Sequence, residues 1–67
     1  MNPQYAFFIY LLERYAEHKN RSTPSVLNEW EMLGITQRIV DMYELYHVER
    51  PENAFDDIDA IVKRIEV

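Results

Sequence analysis

Apolar side chains recur along this chain in steps of three and four, the spacing of one helical face rather than the alternation of a half-buried strand. Tyr5, Phe8, Leu12 and Tyr15 form the first stripe, and Phe7 and Leu11 widen it. Asn2 followed by Pro3 supplies a capping side chain and a proline where its missing N–H costs nothing, which predicts a helix over about 3–18. Its wet side carries Glu13, Arg14, Glu17 and His18. Asn20 to Thr23 is polar, and Thr23 before Pro24 repeats the signature of a cap followed by proline. A short second helix over about 24–33 follows, with Val26, Leu27, Trp30 and Leu33 as its buried face.

Gly34 can take the left-handed conformation that ends a helix without steric cost. Thr36 is then the expected cap of a third helix over 36–47, with Ile35 and Val40 at the positions of a hydrophobic staple. Ile39, Val40, Tyr43 and either Tyr46 or His47 make its stripe. Val48 to Asn53 reads as a loop, because Pro51 disfavours helix at Arg50. Asn53, or alternatively Asp56, caps a last helix over about 54–65. Acids in its first turn and Lys63 and Arg64 in its last suit the helix dipole at both ends. Phe55, Ile58, Ile61 or Val62, and Ile65 form its apolar stripe. The expected fold is therefore an all-α bundle of four short helices in a single domain, 1–67, with Trp30 where helices one to three meet.

Composition narrows the chemistry. The 67 residues include no cysteine, so neither a disulfide framework nor a thiolate metal site is available, and stability has to come from packing or from another subunit. The apolar run from Tyr5 to Leu12 falls well short of the ~20 residues that span a bilayer, and no basic leader precedes it. A soluble, cytoplasmic protein without a membrane partner is expected. Seven basic side chains stand against 12 acidic ones, a net charge of −5. The balance is positive up to residue 22 and negative beyond it. Such a chain repels phosphate backbones, which argues against nucleic acid as a partner.

Four features still invite a functional reading. A short helix, a glycine turn and a helix opening with Thr36, Gln37 and Arg38 outline a helix-turn-helix over 24–33 and 36–47, and these residue types read base edges and phosphates. Against it, Asp41 and Glu44 lie on the exposed side of the would-be recognition helix, and Glu29 and Glu31 lie on its neighbour. Asp56, Asp57 and Asp59 suggest a cation site, but they lack the loop glycine and terminal Glu of a calcium loop, and acids in a first turn ordinarily serve the dipole. His18 and His47 are too far apart in sequence for a metal motif. His47, one turn after Tyr43, reads better as a boundary residue than as a catalyst, since no nucleophile or Gly-rich loop accompanies it. The first helix, finally, carries more aromatic rings than one face of a small bundle buries. Phe7 and Tyr10 on its flank are candidate contact residues.

The residues FFIYLLERYAEHK, GITQRIVDMYELYH and FDDIDAIV, in that order and spacing, resemble a family of short bacterial proteins named domain of unknown function 3791. Phe7, Phe8, Leu12, Glu13, Gly34, Ile35, Tyr43, His47, Asp57, Ile58 and Asp59 match its pattern, and TPS departs from it at the start of the short helix. The resemblance implies no catalytic residues and no cofactor. It implies a small accessory protein, with an antitoxin-like or partner-binding role. The expected function is accordingly non-enzymatic: contact with another protein, or self-association, through Phe7, Tyr10, Asp41, Glu44 and His47. The DNA-binding alternative uses Thr36, Gln37 and Arg38.

Overall fold

Asn2 caps the first helix as expected, its Oδ1 accepting the Gln4 N–H at 2.7 Å, and α1 runs from Pro3 to His18. The computed structural model describes residues 1–66, and all regular structure among them is helical: α2 is Thr23–Leu33, α3 Thr36–Val40, α4 Tyr43–Tyr46 and α5 Glu52–Glu66. The four-helix reading holds, with the third predicted helix divided into α3 and α4.

Two left-handed residues punctuate the first half. Gly34 ends α2 at φ 70°, and its N–H bonds the Glu31 carbonyl while the Ile35 N–H reaches back to Trp30. This double closure satisfies carbonyls that the helix end would otherwise leave open. Asn20 does the same for α1 at φ 56°, with Asn20 N–H bonding Glu17 and Arg21 N–H bonding Ala16. Asparagine tolerates this region because its short polar side chain can bond locally.

Three caps differ from expectation, each for a local reason. Ser22, not Thr23, caps α2: it lies in extended backbone and its hydroxyl accepts the Ser25 N–H at 3.2 Å, so Thr23 and Pro24 fall inside the first turn. Ile35 occupies the cap position of α3, because the chain is already helical one residue after Gly34. A side-chain cap needs an extended backbone that this turn never provides, and Thr36 accordingly makes no capping bond. The last helix opens at Glu52, directly after Pro51, whose fixed φ suits a helix start. Asn53 instead donates from its side chain to the Glu49 carboxylate at 2.9 Å.

The break in the third predicted helix is a tightened turn. Met42 N–H bonds the Ile39 carbonyl, three residues back rather than four, at 3.1 Å, and Asp41 and Met42 both have ψ close to −12°. Met42, at this tightened turn, is buried and belongs to the core. The helical stripe alone had left Met42 out.

The core is built from rings and branched chains: Leu11, Leu12, Tyr15, Val26, Trp30, Ile35, Ile39, Phe55 and Ile58 are all buried. Trp30, fully buried, lies 5.9 Å from Phe8 and 5.6 Å from Tyr15, ring centre to ring centre. Tyr5, by contrast, is half exposed on the flank of α1 and does not join the predicted stripe.

A side chain at Gly34 would meet nothing within 4 Å, so a substitution there tests backbone conformation alone. Gly34→Ala is expected to cost about 1 kcal/mol, and Asn20→Gly to be neutral or slightly stabilising, both read from urea unfolding midpoints. Equal losses at the two positions would contradict the left-handed turns as the reason for these residues.

Candidate interaction surface

Contacts between α1 and the second half of the chain rise together in sequence. The Gln4 amide approaches the Val40 carbonyl at 3.5 Å, Phe7 meets Tyr43, Arg14 meets Glu52, His18 meets Phe55, and Lys19 meets Asp59. From α3 onward the chain therefore runs alongside α1 in the same direction, and a seam forms between them.

An aromatic ladder stands at the head of the seam. Phe7 and Tyr43 meet edge to face with ring centres 5.8 Å apart, and Tyr43 stacks on His47 at 4.2 Å. The His47 Nδ1 lies 2.5 Å from the Tyr43 carbonyl, an oxygen that can only accept, so the hydrogen sits on Nδ1. His47 is thus held by its own turn of helix, with its outer edge exposed. Tyr10, one turn beyond Phe7, is 45% exposed, and the Arg14 guanidinium sits 5.9 Å from its ring centre. That guanidinium also donates to Glu52 at 3.0 Å.

The predicted contact residues thus fall into two groups. Phe7 and His47 come together through Tyr43, and Tyr10 follows on the same seam. Asp41 and Glu44 are exposed on the α3–α4 side, where Asp41 accepts from the Gln37 amide at 3.0 Å. Sequence reasoning missed Leu45 and Val48, which are 67% and 78% exposed. Both lie off the core stripe at helical spacing from one another, and this was the available signal.

Two of the three aspartates have structural partners. Asp59 accepts from the Tyr15 hydroxyl at 2.6 Å and from Lys19 at 2.8 Å, tying α5 to α1. Burial pushes the Asp59 carboxyl up, but the hydrogen bonds from Lys19 and Tyr15 outweigh it and hold the carboxyl below its ordinary range. The Tyr15 phenol is raised, by burial first and then by its bond to Asp59. Asp57 accepts from the Tyr46 hydroxyl, a bond that leads the upward shift of the Tyr46 phenol. Asp56 is exposed. Among the described residues no group of three His, Cys, Asp or Glu side chains is gathered closely enough to hold a metal ion, and no helix is long and apolar enough to cross a membrane.

The helix-turn-helix outline fares poorly in three dimensions. With five residues, α3 is a turn and a half, too short to present a recognition surface along a groove. Gln37 is engaged with Asp41, the Thr36 hydroxyl is buried without a hydrogen-bond partner, and the shallow depression they share with Gly34 is lined by Glu31 as well.

These features define a small all-helical domain with an exposed aromatic seam. The family described as protein of unknown function DUF3791 matches residues 6–64, and the chain belongs to it. No curated protein and no solved structure matches the chain.

The Asp59 bridge gives stability a defined dependence on pH. A carboxyl lowered on folding contributes above its unfolded pKa, about 4, and the contribution is lost as pH falls through the folded value. The raised Tyr15 phenol works in the other direction: its contribution is present below about pH 10 and is lost as pH rises above that. Asp59→Asn should flatten the fall in melting temperature below pH 4, and Tyr15→Phe should flatten the fall above pH 10. Unchanged slopes in the two variants would show that the bridge does not set these limits.

Proposed function

We propose that this chain is a non-enzymatic accessory module that binds another protein, and that the seam between α1 and α4 is its contact surface. The observation that carries this reading is the Phe7–Tyr43–His47 ladder with Tyr10 half exposed one turn beyond Phe7 on α1, together with two more exposed apolar side chains, Leu45 on α4 and Val48 just after it. Interface centres are enriched in aromatic and large apolar groups and surrounded by a polar rim. Here Asp41, Glu44 and Glu49, all exposed, supply the rim.

An acidic rim around an apolar centre suits a partner with basic groups around an apolar one, since complementary charge speeds encounter and disfavours wrong partners. A basic protein encoded by a neighbouring gene, held as an antitoxin holds its toxin, has that character. The ladder rigidifies the surface before contact, which limits the ordering that binding requires.

Coexpression with the products of adjacent genes, followed by reconstitution from purified components and calorimetry, tests the reading. Tyr10→Ala and Leu45→Asp are each expected to weaken the complex at least about tenfold, with little effect on melting temperature. Raising the salt concentration should weaken it further. If a partner binds both variants as tightly as the parent chain, the seam is not the contact surface. If no adjacent product binds at all, the accessory reading fails.

A further inference from the structure

A second exposed apolar face lies on the opposite flank of α1 from the seam. Tyr5 and Ile9, one helical turn apart, are 52% and 41% exposed, and Ala6 beside them is exposed as well. Helical geometry places Tyr5, Ala6, Ile9 and Glu13 along one stripe, while Phe7 and Arg14 point the other way toward α4 and α5. Up to Glu13 the face also carries no charged side chain. All 12 acidic and all seven basic side chains of the chain lie at Glu13 or beyond, so the first three turns of α1 carry none.

We propose that this face is a self-association surface on which two copies of the chain pair through antiparallel α1 helices. Charge selects the occupant. A chain with a net charge of −5 repels its own copies over most of its surface, and the uncharged turns of α1 are where two copies approach without bringing acids together. A partner chosen for basic groups would find only Glu13, at the end of this face, to pair with.

Ala6 shapes the contact, since its small side chain lets a second helix approach closely at the centre of the stripe. A two-fold axis between Ala6 and Ile9 sets Ile9 of each copy against Ala6 of the other, with Tyr5 at either end of the contact. Glu13 then lies beside Asn2, at the positive end of the opposite helix. Closed pairing of this kind is self-complementary and stops at two.

The area sets the strength. Standard stable interfaces bury about 800 Å² on each side, against a total accessible surface of 4509 Å² for this molecule. Three turns of one helix provide less than that. The dimer is therefore weak, with a dissociation constant in the range of tens to hundreds of micromolar, and forms on concentration.

Sedimentation equilibrium of the full chain across about 5 to 500 µM tests this, a span chosen to bracket such a constant. The mass should rise toward twice the monomer value, and Ile9→Glu should weaken association by about 30-fold or more. Leu45→Asp, on the other surface, should leave association unchanged, which separates this contact from the seam. The chain has no cysteine, so Ala6→Cys provides an independent reading that survives even if Ile9→Glu fails to fold. Mild oxidation of that variant should give a disulfide-linked dimer, and Leu45→Cys should give at least about tenfold less under the same conditions. A parent chain that stays monomeric over the whole range overturns the proposal, as does equal cross-linking of the two cysteine variants.

Discussion

Tyr15 is where three helices are joined, and the rest of the fold depends on how its two ends are treated. Its ring packs 5.6 Å from Trp30 of α2 and 5.5 Å from Phe55 of α5, while its hydroxyl reaches Asp59. The ring belongs to the core and the oxygen to a polar bridge that Lys19 completes. A phenol suits this position because burying the ring strands its hydroxyl unless a partner is supplied, and Asp59 is one helical turn beyond Phe55 on the same element. The hydrophobic contact and the hydrogen bond therefore fix the same docking of α5 on α1. The Trp30 indole N–H, in the same cluster, is buried without a partner, so that residue is held by packing alone.

That arrangement explains how so short a chain holds a core without disulfide or metal. Burying large rings removes much surface per residue, and edge-on and tilted pairs add to what area alone contributes. The side-by-side run of α1 with the second half of the chain lets each turn of α1 meet a later element in order. Exposed ion pairs such as Arg14–Glu52 add little by themselves. Their value lies in agreeing with the register that the rings already set.

Element type and the main core positions were legible because they rest on periodicity, and the apolar stripes of α1, α2 and α5 persist in packing except at their outer ends, where Tyr5 and Ile65 are exposed. Caps were less legible. Ser22 and Thr23 have similar side chains one residue apart, and only the exit angle from Asn20 decides which lies in extended backbone. The division at Asp41 and Met42 was not legible, because a turn tightened by one hydrogen bond changes no residue type and is selected by what Met42 can bury. Of the candidate surface, Phe7, Tyr10 and His47 could be named from their places on helix flanks. Their convergence could not, since it depends on α4 lying against α1.

Charge is the property that sequence reading overstates. Counted along the chain, the acids imply a broadly negative surface with a cluster at Asp56, Asp57 and Asp59. In the folded protein Asp59 and Asp57 accept from Tyr15 and Tyr46, Glu29 from Arg21, and Glu52 from Arg14, so part of the charge is spent on donors within the chain. Ile58, fully buried between the two aspartates, shows why they flank it: one face of α5 enters the core while the residues on either side reach hydroxyls on different helices. The aspartate–isoleucine–aspartate run is thus accounted for by docking α5, and among the described residues the exposed acids without such a donor are spread over the fold, at Glu13 and Glu17 on α1, Glu31 on α2, Glu44 on α4 and Asp56 on α5. Glu44 adjoins Tyr43 of the aromatic ladder in sequence, whereas two of the three aspartates that composition alone singles out are engaged within the fold.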